Sequence, residues 1–207
     1  VKDGRFGDWL NNVKDWALSR NKFWGTPLPI WHCESCGAET VIGSKEELEA
    51  AAEHDLKDLD LHKPSVDEIK LDCGCGKKMA RVPYVIDTWY DSGSATFAQL
   101  HYPFENKDLF EKLFPYSFIT EGVDQTRGWF YTLHVLGTLL FDSKAYKSVV
   151  VSGLLVDEKG EKMSKSKGNV LNPFEVFDTV GVDAVRLQFC SVSADNTKRF
   201  GYELVQD

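Results

Sequence analysis

Two neighbouring stretches decide the fold: YSFITEGVDQTRGWFYTLHVLGTLLF, residues 116–141, and SVVVSGLLV, residues 148–156. The opening YSFITEG collects aromatic and β-branched side chains in a short run closed by glycine, which reads as a strand. From Asp124 the pattern becomes helical. Trp129, Leu133, Leu136 and Leu140 fall on one stripe and Phe130, Gly137 and Phe141 on another, so the expected helix is buried over much of its surface. SVVVSGLLV is strand-like again. Together with YVIDTWYD at 84–91, these strands alternating with helices predict an α/β fold with parallel strands.

Downstream lies the loop DEKGEKMSKSKGNV, residues 157–170, rich in lysine and serine. It is followed by NPFEVFDTVGVDAVRLQFCSV, where Asn172 is placed to cap a helix, Pro173 fits its first turn and Glu175 completes a capping-box pattern. Gly181 should end that helix before a second one, and Cys190 reads as a core residue of the second. Upstream, Phe6, Trp9, Leu10, Val13, Trp16 and Ala17 recur at helical spacing over residues 6–18. The prolines and glycine of RNKFWGTPLPIW then enforce an extended or turning path. Three regions follow: residues 1–30 joining the core, 31–83 as an inserted module, and 84–207 as the main α/β part.

The inserted module carries CESC at 33–36 and CGC at 73–75. Four thiolates in two knuckles match the ligand number of a closed tetrahedral zinc site, so Cys33, Cys36, Cys73 and Cys75 are the expected ligands of a structural Zn2+. His32, His54 and His62 are weaker competitors. Such a site leaves no open coordination position for catalysis.

The formal net charge of −8 disfavours coating of nucleic acid by bulk electrostatics, although a local basic patch remains compatible with it. The longest apolar run, GWFYTLHVLGTLLF, has 14 residues and includes a histidine, too short for a membrane span. Neither a secretory signal nor an initiator methionine opens the sequence. A cytoplasmic, monomeric protein without membrane attachment is expected, and the chain reads as a fragment.

In an open parallel sheet, ligands bind beyond the carboxyl ends of the strands. Those ends carry Asp87 and Asp91, then Glu121, Asp124 and Gln125, and finally the lysine loop. Asp124 also stands where a helix cap would be, which is its simplest structural reading. Lys162 and Lys165, with Ser164 and Ser166, could wrap a polyphosphate, with Gly160 and Gly168 as hinges. No G-x-x-x-x-G-K-[ST] phosphate loop occurs.

KMSKS at 162–166 resembles the signature loop of class I aminoacyl-tRNA synthetases. SRNKFWGTPLPIW at 19–31, DTWYDSGS at 87–94 and TEGVDQTRGWFYTLHVLGTLL at 120–140 extend the resemblance in order, and the pattern is similar to the isoleucyl-tRNA synthetase family. The resemblance implies the second half of a Rossmann-like nucleotide-binding fold with a zinc insertion. It also implies activation of isoleucine by ATP with Mg2+, followed by transfer to tRNA(Ile). Lys162 and Lys165 would then neutralise the triphosphate, together with Ser164 and Ser166. Glu121, Asp124 and Gln125 would hold the amino group and adenylate, and Trp89 and Trp129 would wall the aliphatic pocket.

The second family signature, His-Ile-Gly-His, is absent, and HVLG at 134–137 lies inside the expected helix. The editing and anticodon-binding regions are also absent. The isolated chain is therefore expected to bind zinc and to be inactive in aminoacylation. Two alternatives remain open: a valyl- or leucyl-type synthetase, and a zinc-stabilised RNA- or protein-binding module without catalysis.

Overall fold

The structure is a computed structural model that describes residues 3–52, 56 and 58–206. It divides into two compact units, residues 12–95 and residues 1–11 with 96–207.

Helix α1 (Arg5–Asn11) opens the chain and ends well before the predicted Leu18. Asn11 and Asn12 favour this stop, because short amide side chains compete with helical backbone bonds. Trp9 packs edge-on against Tyr131, and Phe6 against His134. Trp16 belongs to the other unit, where its Nε1 donates to Asp87 at 3.0 Å.

In residues 12–95, β1 (Ser19–Arg20) precedes β2 (Ile30–His32) and β3 (Glu39–Val41). Helix α2 (Lys45–Ala52) then leads to β4 (Lys70–Asp72), β5 (Lys78–Arg81), β6 (Val85–Ile86) and α3 (Thr88–Gly93). Strands β3-β2-β5-β4 form an antiparallel sheet, and β1 pairs antiparallel with β6. The sheet is built from two adjacent hairpins whose outgoing strands, β2 and β4, run the same way. Both turns, each carrying a cysteine pair, therefore lie at one end. Trp31, Cys33, Ile42, Leu48, Leu56, Val66, Leu71 and Met79 form the core, and Trp31 Nε1 donates to the Ile69 carbonyl at 2.9 Å. The Arg81 side chain is fully buried, its charge met by Asp67 and its Nη1 donating to the Leu28 and Tyr84 carbonyls.

The second unit continues from α4 (Ala95–Ala98) and α5 (Lys107–Leu113) into β7 (Tyr116–Gly122), α6 (Trp129–Phe141) and β8 (Tyr146–Ser152). β7 and β8 pair in parallel, with Ile119 opposite Val149 and Glu121 opposite Val151. Ile119, Phe130, Leu133 and Ala145 are buried together. The predicted βαβ unit is present, with two changes.

A 3-10 turn over Val123–Arg127 precedes α6, so the helix starts at Trp129 instead of Asp124. The predicted strand 148–156 is also divided into β8 and β9 (Leu155–Val156). Gly153 separates them: its N–H donates to the Ala194 carbonyl, and a Cβ there would collide with the Asn196 carbonyl oxygen.

Helices α7 (Pro173–Val180) and α8 (Val182–Cys190) meet at Gly181 as expected, followed by β10 (Lys198–Arg199) and α9 (Tyr202–Gln206). Asn172 caps α7 by accepting from Phe174 N–H, and its amide donates to Glu175. β10 pairs in parallel with β9. Among the described residues parallel pairing occurs in β7–β8 and β9–β10, beside antiparallel pairs elsewhere, so the structure is mixed α/β. Cys190 is exposed, correcting its assignment to the core: α8 buries Val185 toward Val176 and Phe200 and turns Cys190 outward. Among the described residues no helix is long and apolar enough to cross a membrane.

Candidate functional site

The two cysteine knuckles converge as the hairpin arrangement requires. Cys33 N–H bonds to the Ala38 carbonyl and Gly37 N–H to the Cys33 carbonyl. In the second knuckle Cys73 N–H bonds to Lys77 and Gly76 N–H to Cys73. All four sulfurs lie within 4.8 Å of one another, with Cys33–Cys75 at 3.6 Å and Cys36–Cys73 at 3.5 Å. These separations are far beyond a disulfide bond. They approach the edge of about 3.8 Å that a tetrahedron with 2.3 Å metal–sulfur bonds would have.

The electrostatics fit a cation as well. The Cys36 N–H, above all, draws the Cys33 thiol down to about 6. At Cys75 the Lys77 N–H acts downward, but the Cys73 and Cys33 sulfurs override it and push the thiol up to about 12. Crowded thiols resist losing successive protons unless a positive ion compensates. These four residues could hold a metal ion. His32 and His62 stand apart, beside Glu39 and Asp60 respectively, and His54 lies outside the described residues.

In the same unit, Asp87 is both the N-cap of α3 and the centre of a polar knot. It accepts from Trp89 N–H at 2.9 Å and from Trp16 Nε1, and it pairs with Arg20. Burial works to raise its carboxyl, but the Trp16 and Trp89 hydrogen bonds and the Arg20 charge outweigh this and hold it low. Burial raises Asp91, although Thr26 donates to it at 3.0 Å. Trp89 is 45% exposed and borders a cleft of about 300 Å³ with Arg20, Lys22, Trp24 and Asp87.

At the carboxyl end of β7, Glu121 and Asp124 are exposed. Gln125 Nε2 donates to Asp124 at 3.0 Å, while Gln125 Oε1 accepts from Trp129 N–H at 2.9 Å. Gln125, and not Asp124, therefore satisfies the start of α6. Asp124 lies inside the 3-10 turn, which removes its helix-cap reading and leaves an outward carboxylate. Trp129 is half-buried against the Ile119–Leu133 cluster, so packing explains much of its position.

The lysine loop is folded. Asp157 N–H bonds to the Glu161 carbonyl, and Val156 pairs across it with Lys162. Gly160 and Gly168 have φ of +85° and +71°, the left-handed region that favours glycine. Ser164 caps a 3-10 turn over Lys165–Lys167, accepting from Lys167 N–H at 3.3 Å, and its hydroxyl meets Ser166 at 3.2 Å. Met163 packs beside the Val176–Val185–Phe200 cluster and anchors the loop. Lys167 pairs with Glu161 at 3.1 Å. Among the described residues the ammonium groups of Lys162 and Lys165 have no ion pair, and no hydrogen bond or ion pair joins the loop to Glu121, Asp124 or Gln125.

Residues 1–200 match the family model described as tRNA synthetases class I (I, L, M and V). The chain belongs to this family. Among relatives of this class I synthetase chain, the isoleucine–tRNA ligase of Thermus thermophilus is 54% identical over 209 residues, covering 100% of the chain and 20% of the relative. That of Streptomyces avermitilis is 51% identical over 211 residues, again covering 100% of the chain and 20% of the relative. The chain thus spans about one fifth of the length of these relatives.

A crystal structure of Agrobacterium radiobacter K84 agnB2 LeuRS, in a ternary complex with tRNA and LeuAMS, superposes with a TM-score of 0.68 at 26% identity. The match covers 94% of this chain and 26% of that one. Mycobacterium tuberculosis methionyl-tRNA synthetase in complex with methionyl-adenylate shares the fold, with a TM-score of 0.58 at 19% identity and coverage of 97% and 30%. The fold is accordingly that of a class I synthetase catalytic domain, with mixed α/β structure.

Two long-range pairings in this synthetase chain were not read from the residues alone: Arg20 with Asp87, and Asn169, whose Nδ2 donates to Asp157 Oδ2 at 2.8 Å. Arg20 gave no local signal, because its partner Asp87 is 67 residues away. Asp157 and Asn169 had one: an Asx side chain stands at each foot of the loop.

Proposed function

We propose that this chain is the second half of the catalytic domain of an isoleucine–tRNA ligase, which activates isoleucine with ATP·Mg2+ and transfers it to tRNA(Ile). The observation that carries the reading is the identity of 54% and 51% to isoleucine–tRNA ligases along the whole chain. Local chemistry supports it. Two unpaired ammonium groups on a glycine-flanked loop suit a triphosphate, stabilising charge and position without acid–base work. The exposed Glu121 and Asp124 suit an amino group, with Gln125 placed between Asp124 and the start of α6. Phe118 is 60% and Val150 44% exposed on the parallel pair, which suits a sheet covered by further protein.

In this reading Trp129 contributes to the aliphatic pocket, and Ser164 and Ser166 assist the lysines at the phosphates. Residues 31–83 act as a structural module in which Cys33, Cys36, Cys73 and Cys75 hold zinc. Bound zinc would cross-link the two hairpins and supply no reaction step. The enzyme is cytoplasmic and monomeric, and the chain in isolation does not aminoacylate.

The test is a chimera in which these 207 residues replace the matching segment of the Thermus thermophilus ligase. Isoleucine-dependent ATP–pyrophosphate exchange should fall about 10²- to 10³-fold with Lys165→Ala while the protein stays folded. Unchanged exchange would remove the lysine loop from the chemistry.

A further inference from the structure

The lysine loop is tied at both feet by side chains. Asp157 Oδ1 accepts from the backbone N–H of Lys159 at 3.1 Å and of Glu161 at 2.7 Å. Its Oδ2 accepts from Asn169 Nδ2 at 2.8 Å. Asn169 Oδ1 accepts from Ser164 N–H at 2.9 Å, and Nδ2 also approaches the Lys162 carbonyl at 3.4 Å. Two side chains thus hold the backbone at residues 159, 161, 162 and 164, on either side of Lys162 and immediately before Lys165. The Asn169 amide, first, and the Glu161 N–H hold the Asp157 carboxyl below its ordinary range, so at neutral pH it is ionised and only accepts. Met163 anchors the loop through packing, and these hydrogen bonds restrain the exposed backbone on either side of it.

We propose that Asp157 and Asn169 form a clasp that positions the ammonium groups of Lys162 and Lys165 for the triphosphate, making both positioning residues for amino-acid activation. The ATP role rests on the function proposed above.

The pattern of donors and acceptors makes an unusual prediction. Asp157→Asn alone sets two amides face to face, and whichever way the new amide turns, one donor meets another donor. Asn169→Asp alone sets two carboxylates together. With both changes, the side chain at 157 still accepts from Lys159 and Glu161 through its oxygen and donates through its nitrogen to the carboxylate at 169. The second oxygen of that carboxylate still accepts from Ser164. The one mismatch is at the Lys162 carbonyl, where the 3.4 Å approach of an amide donor becomes a contact between two acceptors.

In the chimera, each single variant should raise the KM for ATP about tenfold, Asn169→Asp the more, with the KM for isoleucine unchanged, and the exchanged pair should return to within about twofold. In the 207-residue chain, trypsin should cut after Lys162 and Lys165 faster in each single variant and at the original rate in the exchanged pair. The proposal is overturned if the pair is no better than the single variants, if both KM values rise together, or if the single variants are unaffected. An unmodified chimera without isoleucine-dependent exchange would overturn the ligase reading and the ATP role with it. The trypsin comparison would then still decide whether the clasp orders the loop.

Discussion

Asp87 illustrates how one buried charge is made tolerable. Its side chain is nearly covered, yet Trp16, Trp89 and Arg20 all direct positive ends at it, and together they hold its carboxyl below the ordinary value. A carboxyl lowered on folding contributes stability that is present above its unfolded value, near 3.9, and disappears as pH falls through the folded value. Asp87→Asn should therefore cost about 1–3 kcal/mol at neutral pH. The gap in Tm between variant and wild type should narrow as the pH is lowered below about 4. A gap independent of pH would show that packing, and not charge, is what Asp87 supplies. Sequence placed Asp87 at a strand end but gave no hint of this knot, since Trp16 and Arg20 lie 71 and 67 residues away. Asp124 and Gln125 differ in a similar way. Both were legible as polar residues before a helix, but which of them meets the first free N–H depends on the 3-10 turn between strand and helix.

Among the elements, those fixed by local chemistry were legible: the cap of α7 at Asn172, the stop at Gly181, the β7 strand and the buried stripe of α6 as far as Leu136, whereas Leu140, read as its last member, is 51% exposed. Those shaped by distant chain were not. The split between β8 and β9 is made by residues 194–197 crossing at Gly153, some 40 positions later. Helix propensity alone would predict that Gly137→Ala stabilises α6 by about 1 kcal/mol. Space predicts the reverse, because a Cβ at 137 would lie 2.8 Å from the Ser143 carbonyl oxygen and 2.9 Å from Ala145 N. Both are backbone atoms of the tight return into β8 and cannot swing aside. Gly137→Ala should lower stability by about 1–3 kcal/mol in thermal or denaturant unfolding. A rise in Tm would mean that the return relaxes freely.

For the whole molecule, the two units rest on different supports. The unit of residues 12–95 combines a small core around Trp31 with four converging sulfurs that could hold a metal ion, and a metal held there would couple its binding to folding. Purified chain should carry about one zinc ion, measured by elemental analysis, and Cys73→Ser or chelation should melt this unit while α6, β7 and β8 persist. Full retention of its structure without metal would reduce the cysteines to ordinary packing. The cysteine spacing made a four-sulfur cluster legible at once, whereas the hairpin order that brings the pairs together emerged only with the fold.

Which amino acid the site activates is decided by ATP–pyrophosphate exchange by the chimera with isoleucine, valine, leucine and methionine in turn. Isoleucine should give the highest kcat/KM, with valine weaker by about 10- to 200-fold, the discrimination that one methylene allows. Exchange driven best by leucine, methionine or valine would contradict it.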